Sequence, residues 1–479
     1  MTAYPELPAE TLQQLPPHAE KVQLRLEKAL ARLKRKIVVL DDDPTGVQTV
    51  HDVYVYTRWD RETIREAFRA PEQMFFILTN SRGLTAPESR AQHREIAENL
   101  AAVSAETGTD FILLSRGDST MRGHWPMETE VLRETLERES PKHFDGEVIY
   151  PFFPEGGRYS LNGVHYVLQG DRLVPAGQTE FAKDKSFGYT ASSLSEWCEE
   201  KSGGRFPAAS SCFRISLEEL RAGDVDGIAA KLKAVTGFRK ITVDSADYED
   251  VAVFTAALCE AIIDGKEFLF RCAAALPKVL GGVKDRPLLR REELVDRDNR
   301  NGGIILVGSH VNKTTRQLEA LRDSKLPIEM IEFNQHRVLE ENGLEDEVAR
   351  VLSRVEELLP AGKSVTVFTR RERLDLPTAD KDRQLKISTE ISDALTGVIG
   401  KLPVRPSFIV AKGGITSSDV GTKALRVRKA LVKGQIRPGI PVWQTGEESR
   451  FPGLPYVIFP GNVGAEDDLR RIAETLIGG

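Results

Sequence analysis

The chain has 479 residues, 40% hydrophobic and 29% charged, with a formal net charge of −6. That length is too great for one ordinary core and predicts two domains, while the acidic balance argues against a nucleic-acid partner, whose binding face is usually basic. No apolar run approaches the ~20 residues of a membrane span, the first residues show no basic-then-apolar leader, and the four scattered cysteines lack C-x-x-C spacing. A reduced, cytoplasmic protein without a structural zinc site is therefore expected.

Residues 8–35 read as helix, with Leu12, Leu15, Val22, Leu26 and Leu30 near the helical period. "KIVVL" and "DVYVYT" follow as strands, then "RETIREAF" as helix and "MFFILTN" as strand. "PESRAQHREIAENLAAVSAET" is a clear helix: Pro87 suits its first turn, and Ile96, Leu100 and Val103 share a face. "DFILLS", "METEVLRETLERE" and "GEVIYPFF" continue the alternation. Residues 152–215 break it: this Gly-, Asp- and Tyr-rich segment reads as a β-hairpin and long loops, which in compact domains are usually functional or disordered. The rhythm resumes with "KITVDSAD", and a helix-rich stretch runs to about residue 280.

The charged, Gly-flanked segment 281–303 is the candidate linker. Beyond it come "IILVGS", the helix "NKTTRQLEALRDS", "PIEMIEF", a long helix to about residue 359, "SVTVFTR", "SFIVAKGG", a helix from about Ser418 to Leu431, "PVWQ" and "YVIFPGNVG". The expected fold class is α/β: two domains, 1–285 and 300–479, each a mostly parallel sheet flanked by helices, with a ligand cleft between them.

In open α/β sheets, ligands bind beyond the carboxyl ends of the strands. Two such loops stand out in the N-terminal half. "DDDPTG" places Asp41, Asp42 and Asp43 side by side, and "RGDSTMRGH" offers Arg116, Asp118, Ser119, Thr120, Arg122 and His124. Guanidinium forks suit carboxylate or phosphate, and carboxylates suit sugar hydroxyls, so together the loops describe a pocket for a hydroxylated acid. The plainer alternative is that Arg116 and Arg122 only pair with the aspartates. His51, His165 and His310 are isolated histidines without metal-ligand spacing, which favours structural or substrate-contact roles.

In the C-terminal half, three glycine-bearing loops follow strands: "VGSHVNKTT" (Gly308, Ser309, Thr314, Thr315), "KGGITSSD" (Lys412, Gly413, Gly414, Ile415, Thr416) and "PGNVG" (Gly461, Asn462, Gly464). Glycine lets backbone approach phosphate, and helix starts favour anions. Three such loops point to a nucleotide phosphate chain. Neither G-x-x-x-x-G-K-[ST] nor G-x-G-x-x-G occurs, so any ATP site uses a different cradle.

These motifs resemble those of the four-carbon acid sugar kinase family, along nearly the whole chain. "LDDDPTG" and "RGDSTMRGHWPMETEVL" resemble its N-terminal signatures, and "KGGITSSDV" and "PGNVG" its nucleotide loops. The resemblance implies ATP-dependent phosphorylation of a tetronate-like sugar acid, with Mg²⁺, and a possible homodimer. It implies that Asp42, Asp43, Arg116, Asp118 and Arg122 hold the acid, with Ser119 beside them, and that Ser309, the run Gly413 to Thr416, and Gly461 hold ATP, flanked by Lys412 and Asn462. Asp43 and Asp118 are the candidates for the catalytic base. The extra aspartate, the "PEGGRYSLNGVHYVLQG" insert and "GGIT" depart from shorter members and point to a larger or differently charged substrate. Two rival readings are a metal-dependent hydrolase or aldolase with the metal at Asp41–Asp43, and a non-catalytic sugar-acid sensor.

Overall fold

A computed structural model describes residues 4–19, 21–372, 374, 381–461 and 463–478. The chain divides into two compact units: residues 1–46 with 58–285, and 47–57 with 286–479.

The first unit is built on seven parallel strands. Their spatial order is Cys212–Ile215, Arg239–Val243, Gly146–Tyr150, Phe268–Cys272, Phe111–Arg116, Lys36–Asp41, Met74–Leu78. The central strands are buried almost end to end, as expected of a parallel sheet covered on both faces. The helices that cover it include Arg61–Arg69, Ala86–Thr107, Met127–Glu139 and Tyr248–Ile263. Asp60 caps the first of these by accepting from the Thr63 amide. Pro87 sits in the first turn of the second.

The chain leaves Lys36–Asp41 for Met74–Leu78 on one side, and leaves Phe111–Arg116 for Gly146–Tyr150 on the other. Where connections diverge in this way, a crevice opens beyond the strand ends. Asp41 and Arg116, in register across these strands, sit at that point.

The segment expected as a hairpin is more ordered than that. Arg158–Leu161, Val164–Gln169 and Arg172–Pro175 form an antiparallel sheet, which Leu7–Pro8 joins as a fourth strand. The N-terminal helix expected over 8–35 is instead a short turn, Ala9–Leu12, and a helix over Gln23–Arg32. The prolines of "LPPHAE" explain the break, since each removes an amide donor and disfavours helix in the residue before it.

The second unit has five parallel strands, in the order Pro455–Phe459, Ile409–Lys412, Ile304–Val307, Ser364–Thr369, Ile328–Phe333. Ile440–Thr445, Lys429–Arg437 and Val53–Tyr56 extend the first of these with antiparallel pairing. The helix expected to reach Leu431 ends at Ala424, and Lys429 begins a strand with alternating burial. The helix Lys381–Lys401 had no counterpart in the sequence reading. Among the described residues, no helix is long and apolar enough to cross a membrane.

Candidate functional site

At the crevice of the first unit, four carboxylates and four guanidiniums form one network. Arg116 Nη1 lies 3.2 Å from Asp41 Oδ1 and 3.7 Å from Asp42 Oδ1. Arg82 pairs with Asp43 and reaches Asp118 at 3.5 Å and Asp42 at 3.8 Å. Arg122 Nε donates to Asp118 Oδ2 at 2.7 Å, and the Thr120 hydroxyl donates to the same oxygen. The Asp118 amide donates to Asp42 Oδ2 at 3.2 Å. Arg271 Nη2 donates to the Arg122 carbonyl at 2.6 Å.

The glycines of these loops make room for the network. A Cβ at Gly46 would lie 1.9 Å from an Asp41 carboxylate oxygen, and one at Gly117 would lie 1.6 Å from Arg271 Nη1.

The four acids are not equivalent. Burial pushes Asp41 up to about 8, against the pull of Arg116 and with the push of Asp42 and Asp43. Burial also raises Asp42, despite Arg82, Arg271 and Arg116. For Asp43 burial acts upward too, but Arg82 and the hydrogen bonds from Thr45 hold its carboxyl below the usual range. Asp118 is held far below that range: burial opposes this, and Arg122, Arg82 and Thr120 overcome it. The side chains of Asp43 and Asp118 are 13% and 12% exposed, against 2% and 4% for Asp41 and Asp42. Of these four, Asp43 and Asp118 are the two held below the ordinary range and the two more exposed.

The small antiparallel sheet and the chain after it support the Asp118 loop. The buried His165 ring bonds the Ser119 carbonyl through Nε2 at 2.8 Å and the Ser160 hydroxyl through Nδ1 at 3.0 Å. Burial holds its pKa down at about 4, so the ring is neutral. Tyr189 donates its hydroxyl to the Thr120 carbonyl at 2.6 Å. His165 is thus a loop support. Ser119 is nearly buried, with its carbonyl committed to His165.

Sequence reasoning missed Arg82 and Arg271. Both obey the strand-end rule that found the others: Arg82 lies just past Met74–Leu78, and Arg271 is the penultimate residue of Phe268–Cys272. These arginines, with Arg116 and Arg122, compensate the aspartate run. The one set of side chains with metal-like spacing among the described residues is elsewhere, at His18, Asp247 and Asp250. There Arg221 already pairs with Asp247 at 2.7 Å and Asp250 at 3.0 Å.

In the second unit, the three glycine loops converge at the strand ends. A Cβ on Gly308 would lie 2.2 Å from Thr416 Oγ1, and one on Gly413 (φ +125°) 3.2 Å from Ser309 Cβ. One on Gly461 would lie 3.3 Å from Ser309 Oγ. The Thr314 hydroxyl, 3.2 Å from both Ser309 Oγ and the Gly461 carbonyl, ties two of the loops together. Gly414 opens the helical turn that follows the second loop, and the Ile415 side chain beside it is 73% exposed. Asn462 lies outside the described residues.

Lys412 underlies these loops and is fully buried. Its Nζ donates to the Pro460 carbonyl at 2.5 Å and sits 3.6 Å from the Phe459 ring centroid. Burial and Lys313 drop its pKa to about 6. As placed, it supports the Gly461 loop from beneath. Arg371, which the sequence reading also missed, donates to the Ser309 carbonyl at 2.8 Å and to Thr315 Oγ1 at 2.9 Å. Its buried Nη1 makes no hydrogen bond among the described residues.

Comparison with known proteins follows the same division. A family model described as a sugar-binding N-terminal domain matches residues 37–280, and one described as a nucleotide-binding C-terminal domain matches residues 304–469. Among solved structures, the chain is similar to a Salmonella typhimurium LT2 protein given the provisional description "tRNA synthase". Identity is 18% and the TM-score 0.63, over 91% of this chain and 98% of that one. It is also similar to Haemophilus influenzae protein HI1011, of the DUF1537 family, at 19% identity and a TM-score of 0.58, over 92% and 100% of the two chains. At these identities the likeness is one of fold. Among curated proteins, none matches the chain.

Proposed function

The chain belongs to the four-carbon acid sugar kinase family, and on that premise we propose that it transfers a phosphoryl group from ATP to a hydroxyl of a small sugar acid. The observation that carries this reading is the convergence of Gly308, Gly413 and Gly461 around Ser309 and Thr416, so close that a Cβ on any of the three would crowd one of those two side chains, which brings glycine backbone from three strand-end loops to one place, as phosphate binding requires. The first unit supports it with a network that has donors for a carboxylate and acceptors for hydroxyls.

In this reading the first unit holds the acid. Arg82, Arg116 and Arg122 keep Asp43 and Asp118 ionised, and one of these two accepts a hydrogen bond from the acceptor hydroxyl, aims it and takes its proton. Catalysis of this kind is mostly positioning and charge stabilisation. The second unit holds the nucleotide through backbone amides and the hydroxyls of Ser309 and Thr416, with Arg371 Nη1, which makes no hydrogen bond among the described residues, as a further donor. Bound ATP supplies the phosphoryl group, and Mg²⁺ on its phosphates neutralises the charge that develops.

A coupled ADP-release assay over four- to six-carbon sugar acids tests this. The expected result is ADP release that requires Mg²⁺–ATP and one acid together. Release that ignores the acid, or turnover of an acid without ATP, would overturn the proposal. Asp43→Asn is expected to lower turnover at least about 100-fold and to leave nucleotide affinity unchanged.

A further inference from the structure

We propose, on the premise of the sugar-acid reading above, that Arg158 is a specificity-determining residue that recognises the substrate's carboxylate. It is supplied by the small antiparallel sheet of the first unit.

Arg158 opens the strand Arg158–Leu161. Its guanidinium carbon lies 5.5 Å from the centroid of the Phe181 ring, and that of Arg122 lies 5.3 Å from the same centroid. Two cations therefore share one aromatic platform beside Asp118. Their situations differ. Arg122 is committed, with Nε on Asp118 at 2.7 Å and Nη1 3.6 Å from Asp184. The Arg158 side chain makes no hydrogen bond or ion pair among the described residues, and its Nε is buried without an acceptor. Asp118, the acid that acts on it electrostatically, is already occupied by Arg122, Arg82 and Thr120.

The buried Nε donor of this half-buried guanidinium is costly to leave without an acceptor, and its Nη groups remain free to bind one. Arg82, Arg116 and Arg122 each pair with at least one carboxylate, whereas Arg158 pairs with none among the described residues. The missing partner is an anion that fits a planar fork, and a carboxylate is the group that matches that geometry. The aromatic face beneath holds the guanidinium in place before the ligand comes. Arg158 thereby favours a sugar acid over a neutral polyol of the same length.

The test compares the full-length chain with Arg158→Ala, Arg158→Gln and Arg158→Lys. Substrates are four- to six-carbon sugar acids and the alditols of equal chain length. Arg158→Ala and Arg158→Gln are expected to raise KM for the acid about 10- to 100-fold, with kcat within about twofold and KM for ATP unchanged. The preference for acid over alditol falls by the same factor, and Arg158→Lys restores part of it. An equal rise in KM for acid and alditol, a loss of kcat at constant KM, or no change overturns the proposal. Calorimetric titration of the acid without nucleotide separates this proposal from the kinase reading. A wild-type chain that binds acid but releases no ADP ends the kinase reading, and weaker acid binding by Arg158→Gln then still supports Arg158. Equal acid affinity in wild type and variant overturns the proposal, and a wild-type chain that binds no acid of the panel overturns both.

Discussion

The two candidate sites solve opposite problems. The site in the first unit is crowded with charge, and its shape is set by side chains that compensate one another before any ligand binds. The site in the second unit has no such network of opposed charges: Arg371 and Lys412 bond its loop carbonyls. Its shape is set by absent side chains at Gly308, Gly413 and Gly461, and its one buried lysine supports a loop from beneath. A network of this kind fails when one charge is removed, because the remaining charges lose their partners. A cradle fails when an atom is added.

The sharpest way to break the first site is Arg82→Ala. Three carboxylates lose a shared cation, and unfolding free energy is expected to fall by about 3–5 kcal/mol, read from urea titration. Next is the loop support at His165. Its folded pKa of about 4 lies below the ordinary 6.5, so the unfolded chain takes up a proton that the folded chain refuses. That contribution is complete above pH 6.5 and is lost as pH falls toward 4, by up to about 3 kcal/mol. His165→Asn should flatten the stability profile in that window.

The cradle is broken by addition. Gly461→Val is expected to weaken nucleotide binding about 10- to 100-fold and to leave acid binding intact, as calorimetry with each ligand would show. Parallel losses of both ligands would deny that the two sites fail separately. The smallest effect is expected at Asp41, whose folded pKa of about 8 stands above the ordinary 3.8. The folded chain keeps a proton there that the unfolded chain releases, so this contribution is complete below pH 3.8 and is lost as pH rises through 8. Asp41→Asn imitates the protonated acid. It should cost less than about 1 kcal/mol at pH 7 and reduce the decline in stability between pH 6 and 8 in thermal melts.

That contrast also shows what the sequence could and could not reveal. Asp41 and Asp118 look alike as letters at strand ends, and both motifs were visible there. Their opposite shifts depend on burial, on Arg122 and Arg82 beside Asp118, and on how little Arg116 offsets burial at Asp41. Arg82 was overlooked because it follows "TNS" rather than standing in a charged run. The glycine loops were legible because short-range geometry requires glycine in them, and the structure brings Ser309, Gly413, Thr416 and Gly461 together. The strand Lys429–Arg437 was not read, because the expected helix was carried on to Leu431 across its start. A hairpin within 152–215 was legible, but the third strand at 172–175 and the hold of His165 on Ser119 and of Tyr189 on Thr120 were not, because hydrogen bonds to backbone carbonyls leave no trace in residue identity.

The excursion at Val47–Thr57 has a consequence for how the chain is made. Its strand pairs with Lys429–Val432, and Thr57 bonds the carbonyl of Val427 from 370 positions away in the sequence. On the ribosome this segment emerges 370 residues before the partner it bonds. Contacts of such sequence separation form slowly, and domains begin to fold during synthesis. The first unit must therefore assemble around a loop that belongs elsewhere, and the second can close its sheet only after the C-terminal hairpin has been translated. Translation of Val427–Val432, rather than collapse of the first core, is the step to which placement of Val53–Thr57 is tied.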